Sequence, residues 1–432
     1  MDKNNYTRLA IHLYVSLAAR YEAAVKAELG DEYPADAEIP LSAWFADNPK
    51  DTALFGSAMR RRIGFTLYPN HTLPAIRRMA AISDGALIDV LYWGMKNLGG
   101  SMRGAYNVLF SIAGDYIRSA PANTIFDMVN AAISDCPDGQ SALATGYKLA
   151  RKDNHAYPVV PQLADILVRL AGAGVSPTTL EVNCNTADIL AVARRAGGKN
   201  VGRLFGLTSH DHLLPTALAT AHGLLPREFE IFSGDYLANS GVVPNYWRTE
   251  KFSSIVGVLD AGVNWSPDKA IGDARYPIIP HRTEGVAAQL LNAISLLAPN
   301  GTMAVVVDVG LLYRNAAAPV REHIVRSGML RGVVLLPHAI LNGTGVQTAI
   351  LVLANRPNND GVTFVDASSL FARKRRNNEL LPEAAGLILS AYREHGDINT
   401  VVANGARFVA RSISLCEIEA NNFNLGVDNY VN

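Results

Sequence analysis

The residues of this chain best suited to chemistry sit where short apolar runs end. The run Thr179–Val182 leads into Asn183-Cys184-Asn185-Thr186-Ala187-Asp188, and the run Ser254–Leu259 leads into Asp260-Ala261. No G-x-G-x-x-G follows the first run, which disfavours a dinucleotide site. Asp260 has neither a histidine nor a second acid beside it in sequence, so it reads as a helix cap or a solvated carboxylate. His210-Asp211-His212 puts its imidazoles at i,i+2, positions that do not face each other on a helix, so a solvated helix start is expected rather than a metal pair. The three cysteines, Cys136, Cys184 and Cys416, are far apart and form no C-x-x-C. Neither a disulfide framework nor a zinc site is expected, and a reducing compartment fits. Cys184 lacks the basic neighbours that activate a thiol and reads as a small buried apolar residue. The cations remain. Arg60-Arg61-Arg62 and Arg77-Arg78 read first as solvated helix faces that could also meet phosphates. Arg373-Lys374-Arg375-Arg376, in a polar loop beyond the last apolar runs, is the better candidate for DNA or a partner.

These residues are positioned by two textures that change near residue 150. Before it, apolar residues recur at helical spacing, as in Leu87, Ile88, Val90, Leu91 and Trp93, then Leu109, Ile112, Ala113 and Tyr116. That pattern predicts a helical N-terminal domain over 1–150. From Pro177 onward, short β-branched runs alternate with helical stretches, predicting an α/β domain over 151–371 with a mostly parallel sheet covered on both faces. The candidate strands are Thr179–Val182, Arg203–Leu207, Glu228–Phe232, Ser254–Leu259, Thr302–Asp308, Arg331–Leu336 and Thr348–Ala354. Helices are expected over Ala187–Ala196, His212–Ala221 and Gly285–Leu297. The last two strands are joined by a loop, Pro337–Gly345, so Thr348–Ala354 should run antiparallel to its neighbours. Residues 372–432 read as a basic loop, a helix over Pro382–Glu394 and a helical C-terminal tail.

Length and composition set the outer bounds. The chain has 432 residues, 49% hydrophobic and 18% charged, enough for two or three domains with their own cores. Lys+Arg 39 against Asp+Glu 39 excludes a wholly basic nucleic-acid binder and leaves room for a local basic face. No stretch of about 18 uncharged apolar residues is found and no apolar leader opens the chain, so no membrane partner and a cytoplasmic location are expected.

A seven-stranded sheet with that last connection fits the class I methyltransferase-like (Rossmann-like) architecture, and a colinear series of segments makes the resemblance specific. Asp273-Ala274-Arg275-Tyr276, Ala298-Pro299-Asn300-Gly301, Gly310-Leu311-Leu312-Tyr313-Arg314, Val320-Arg321, Thr344-Gly345-Val346-Gln347-Thr348 and Val365-Asp366-Ala367-Ser368 come in order, followed by Glu417-Ile418-Glu419 and Phe423-Asn424-Leu425. From Asp273 to its end the chain resembles the modification (M) subunit of type I restriction–modification systems, N6-adenine DNA methyltransferases that use S-adenosylmethionine. The resemblance implies a cofactor pocket formed by Glu181, Cys184, Asn185, Asp188, Thr208 and Asp235. The family's loop after the first strand is glycine-rich, which lets the backbone approach the cofactor. Here every one of those glycines is replaced. Thr208 stands where an acid normally holds the ribose hydroxyls, while Gly234-Asp235-Tyr236-Leu237 keeps the third element. The pocket-closing segment survives only as Tyr157-Pro158-Val159-Val160.

The family's catalytic Asn-Pro-Pro-Phe, whose amide and carbonyl accept bonds from the adenine amine and whose ring stacks on the flipped base, is replaced by Val258, Leu259, Asp260 and Ala261. Together these losses imply a pseudo-methyltransferase that needs no cofactor, retained as a DNA-binding or assembly module in restriction–modification, defence or a mobile element. The alternative is an active S-adenosylmethionine-dependent enzyme with divergent motifs. Implied partners are DNA, through Arg373–Arg376 and then Arg60–Arg62, and a specificity-subunit-like protein or a second copy, through the C-terminal tail.

Overall fold

The computed structural model describes residues 3–102, 105–134, 141–153, 158–224, 227–341, 344–358, 361–374, 378–402 and 405–431. Cys136, Tyr157, Arg375 and Arg376, singled out above, lie outside the described residues. The chain forms two compact units: Met1–Ala156 with His212–Phe229, and Tyr157–Asp211 with Glu230–Asn432.

The first unit is helical. Its centre is the helix Lys3–Leu29, in which Leu9, Ile11, Leu13, Tyr14, Val15 and Leu17 are all buried. A helix apolar on every side belongs inside a bundle, and helices Ala105–Ser119, Ala122–Ser134 and Ser141–Asp153 pack around this one. So does Leu213–Ala221, expected above as a crossover helix of the sheet. Every residue of that helix from Leu213 to Thr220 is buried, and Leu213, Leu214, Ala217 and Leu218 join the helical core. The chain therefore leaves the sheet unit after Asp211 and returns at Glu230.

The second unit is built on strands β1 (Thr178–Val182), β2 (Arg203–Thr208), β3 (Phe229–Ser233), β4 (Phe252–Val258), β5 (Leu297–Asp308), β6 (Leu330–Leu335), β7 (Thr348–Ala354), β8 (Val362–Asp366), β9 (Phe371–Arg373), β10 (Asn378–Leu380), β11 (Ile398–Val401) and β12 (Arg407–Ile413). The main sheet has ten strands in the order β11-β12-β8-β6-β7-β5-β4-β1-β2-β3, and β9 and β10 form a separate hairpin. β1, β2, β4 and β5 pair in parallel, the connections from β1 to β2 and from β4 to β5 running through helices Asp188–Gly197 and Gly285–Ser295. β7 is antiparallel to both β5 and β6, as the helix-free connection requires. Every residue of β6 and β7 is buried, which in β7 matches a text apolar from Ala349 to Ala354.

Two expectations about the sheet need correction. It has ten strands rather than seven, and residues 372–432, besides helices Ala384–Glu394 and Leu415–Ala420, return two strands, β11 and β12, to it. β12 carries Arg407 and Arg411 among apolar residues and lies near the sheet's edge, where one side of the strand tolerates charge, so its text reads as polar. Helix Ala384–Glu394 is found close to its expected place.

The end of the chain closes this unit. Leu425, Val427, Tyr430 and Val431 are buried in the sheet's core, and the Tyr430 ring lies 4.3 Å from that of Phe364 on β8. Buried Arg321 ties this segment down, with Nε donating to the Phe423 carbonyl at 2.9 Å and Nη1 to those of Leu311 and Arg314 at 3.1 and 2.7 Å. Leu425 N–H donates to the Leu312 carbonyl at 2.9 Å. Two distant stretches of the chain, residues 311–321 and 423–425, thus form one clasp. Replacing Arg321 by Met should cost the sheet unit about 3 kcal/mol, because three carbonyls lose their donor. Urea unfolding followed by a probe in that unit measures it, and a loss under about 0.5 kcal/mol would mean that the clasp contributes little.

Candidate functional site

In open α/β sheets ligands bind beyond the carboxyl ends of the strands, where the strand order reverses. In this sheet that place lies between β1 and β4, and it gathers the loops that follow β1, β2, β3 and β4. Asn183 leaves β1 with φ +54°, in the left-handed region that Asn tolerates better than most side chains. Its amide nitrogen donates to the Val258 carbonyl at 3.0 Å and also to Gln289 Oε1. Its oxygen accepts from the hydroxyl of buried Tyr236. Gln289, buried on helix Gly285–Ser295, holds the next residue of the β4 loop by both ends. Its Oε1 accepts from Asp260 N–H at 3.1 Å, and its Nε2 donates to the Asp260 carbonyl at 2.7 Å.

The rest of the crevice is bonded in the same way. Thr208 Oγ1 at the end of β2 donates to Asn185 Oδ1 at 2.8 Å and accepts from His210 N–H at 3.1 Å. Asp188 Oδ2 accepts from Thr186 Oγ1 at 2.6 Å and from Val159 N–H at 2.9 Å. Glu181, buried in β1, accepts from Leu190 N–H at 2.9 Å, and burial pushes its carboxyl up to about 8. Burial also pushes the Cys184 thiol well up, with Glu181 adding to the effect. Cys184 packs so closely on β2 that a Cβ at Gly206 would stand 2.7 Å from its sulfur. It is a core residue and not a nucleophile. Ala187, at φ +57°, is the second non-glycine residue of this loop in the left-handed region.

At the expected catalytic positions, Leu259 is buried and extends the ladder, its N–H donating to the Val306 carbonyl at 2.9 Å, while Asp260 and Ala261 are exposed. Asp260 Oδ1 caps Gly262 N–H at 2.8 Å. Trp265 Nε1 donates to the Pro280 carbonyl at 3.0 Å. Asp235 is exposed, 3.5 Å from Lys269 Nζ, and caps Ala238 N–H. The neighbouring Tyr236-Leu237 backbone is clamped by Arg275, which donates to both carbonyls, to Asn292 Oδ1 and to Asp273; that last bond holds the Asp273 carboxyl below its usual range.

The expected cationic contacts lie apart from this crevice in the chain. Arg373 and Lys374 are exposed on and just after β9, with Lys374 Nζ 3.6 Å from Glu379 of the same hairpin. Arg60, Arg61 and Arg62 are exposed in the last turn of helix Thr52–Ile63, Arg62 pairing with Glu28 at 2.7 Å. Among the described residues no cluster of three or more His, Cys, Asp or Glu could hold a metal ion, and no helix is long and apolar enough to cross a membrane. Asn183, Tyr236 and Gln289 are absent from the expected site residues. Gln289 and Asn292 are nevertheless visible as two amides, three residues apart, in the otherwise apolar helix Gly285–Ser295.

The model of the N-6 DNA methylase family matches residues 191–432. The chain belongs to that family. A curated relative, the type I restriction enzyme MpnII methylase subunit of Mycoplasma pneumoniae, is 28% identical over 222 residues, a match covering 49% of this chain and 39% of that relative. Among solved structures, a type I restriction-modification system methyltransferase subunit from Streptococcus thermophilus has the same fold, with TM-score 0.79 and 20% identity over 100% of this chain and 96% of that one. A chain from a study of complex assembly in a type I R-M system matches with TM-score 0.57 and 16% identity, covering 98% and 86%. The relatives of this N-6 DNA methylase family member thus agree with the resemblance to type I modification subunits.

Glu181 makes the loop testable through pH. Its carboxyl is raised when folded, so between about 4.5 and 8 the folded chain holds a proton that the unfolded chain has released. Its contribution to stability is full below that window and is lost as pH rises through it. Glu181→Gln should remove a loss on the order of a few kcal/mol between pH 5 and pH 8. Denaturation curves at both pH values provide the check; wild type and variant falling in parallel would refute it.

Proposed function

We propose that this chain is a non-catalytic homologue of the type I modification subunit, acting as a DNA-binding or assembly module in restriction–modification, defence or a mobile element. One observation carries the reading: the polar groups of the crevice are bonded to one another. S-adenosylmethionine needs donors for its carboxylate, an acceptor for its ribose hydroxyls and a close backbone. The Thr208 hydroxyl is engaged by Asn185, the Asn183 amide by Val258, Gln289 and Tyr236, and Asp188 places a carboxylate in the loop itself. These residues do not fit the cofactor, so no methyl-transfer step is assigned to them. Nor do Val258, Leu259, Asp260 and Ala261 offer an amide or a ring to a flipped adenine. The active alternative is favoured by one feature, the left-handed backbone at Asn183 and Ala187, where glycine would be at ease.

What remains for such a module is charge and shape. The basic stretch Arg373–Arg376 is the leading DNA contact and Arg60–Arg62 the second. Glu379 offsets part of the loop's charge. A specificity-subunit-like protein or a second copy would meet the exposed side of helix Leu415–Ala420, at Cys416 and Glu417, because Leu425, Val427 and Tyr430 are committed to the chain's own core. The reading places the chain in the cytoplasm.

A titration with duplex DNA at two salt concentrations tests the module. Affinity should fall steeply with salt. Replacing Arg373, Lys374, Arg375 and Arg376 with Ala should flatten the slope of log K against log salt by up to about 3, whereas substitutions at Val258 and Asp260 should leave it unchanged. An unchanged slope in the loop variant would remove the loop from the DNA interface, and no binding at either salt would leave assembly as the role.

A further inference from the structure

The helical unit carries a second concave surface that the reading above does not use. A cavity of about 550 Å³ is lined by Ser42, Tyr68, Asn70, His71, Trp93 and Asn97. Trp93 is 45% exposed and Tyr68 64% exposed. Single exposed aromatics are ordinary, but here two of them share one cavity with a third ring. His71 is buried, lies with its ring edge toward Tyr68 at 5.8 Å, and its Nδ1 has no partner among the described residues. Burial also lowers its basicity. Trp93, Lys96 and Asn97 share one face of helix Ala86–Met102 by their i, i+3, i+4 spacing. Lys96 Nζ stands 4.8 Å from the Trp93 ring centroid, while the Arg118 guanidinium lies 3.7 Å over the Tyr92 ring and pairs with Asp89 at 3.4 Å.

Exposed rings, side-chain amides and cations flanking the outermost ring are the chemistry that recognises an unpaired nucleotide: rings stack on the base, amides read its edge, and cations meet the phosphate. An Asn amide pairs with two adjacent atoms of adenine, a donor and an acceptor. We propose that this surface binds an unpaired adenine nucleotide, the base on Trp93 and Tyr68, its edge at Asn70, and its phosphate toward Lys96. Both a free nucleotide and a single-stranded segment of nucleic acid present this chemistry. The residues named here are none of those that form the crevice beyond β1 and β4 or the basic stretch at Arg373.

The full chain is titrated with AMP by calorimetry, and with a labelled adenine-rich single strand, alone or annealed to its complement, by fluorescence anisotropy. AMP or the single strand should bind, with the annealed duplex at least tenfold weaker at this site. Binding of AMP alone identifies the free nucleotide as the source, and binding of the strand alone identifies nucleic acid. Trp93→Leu and Tyr68→Ala should each weaken binding about tenfold, consistent with a base–aromatic stack, and exposed Asn70→Ala severalfold, all with unchanged circular dichroism. The Arg373–Arg376 variant should bind as wild type does. The proposal is overturned if neither ligand binds, or if both bind the Trp93→Leu and Asn70→Ala variants as tightly as wild type.

Discussion

The side-chain amide of Asn183 is the point on which the crevice depends. It stands directly after β1, between the end of β4 and the loop after β3, and reaches Val258, Gln289 and Tyr236. A buried donor or acceptor left unpaired costs about 1–3 kcal/mol, so a network of this kind holds its members together. Gln289 then fixes Asp260 by both backbone groups, and burial keeps the Tyr236 phenol protonated and donating. A ligand entering here would have to replace bonds already made within the chain. The loops after β1 and β4 are tied to each other and to helix Gly285–Ser295.

The backbone beneath this network explains how a glycine-free loop keeps a sharp turn. Asn183 and Ala187 both have positive φ, and for Ala that costs roughly 1 kcal/mol. The surroundings impose it: Ala187 is fully buried, Cys184 is locked against Gly206, and Asp188 is held by Thr186 and Val159. The strain is offset by packing and hydrogen bonds that serve the chain itself.

The elements around the site were more legible in sequence than the site. β7 could be read because a strand buried on both faces is written as an unbroken apolar run, and its direction followed from a connection too short for a helix. Helix Leu213–Ala221 could be read as a helix but not assigned to a unit, because a helix buried on every side has no polar face to show which way it points. β11 and β12 were hidden by their charged and polar residues at the sheet's edge. Segments such as Gly310–Arg314, Val320-Arg321 and Phe423–Leu425 were recognisable in order, but only folding reveals that Arg321 joins them. At the crevice, replaced residues such as Thr208 and Asp260 could be seen one by one. That Asn183 bonds to both Tyr236 and Gln289 depends on contacts between positions up to 106 residues apart.

Calorimetric titration of the folded chain with S-adenosylmethionine tests the central claim most directly, because the claim is that the crevice satisfies itself. The account predicts no binding heat up to about 1 mM cofactor, weaker than roughly 4 kcal/mol of affinity. A saturable signal at micromolar cofactor, retained in the Arg373–Arg376 loop variant and lost when Thr208 or Asn185 is changed, would contradict it.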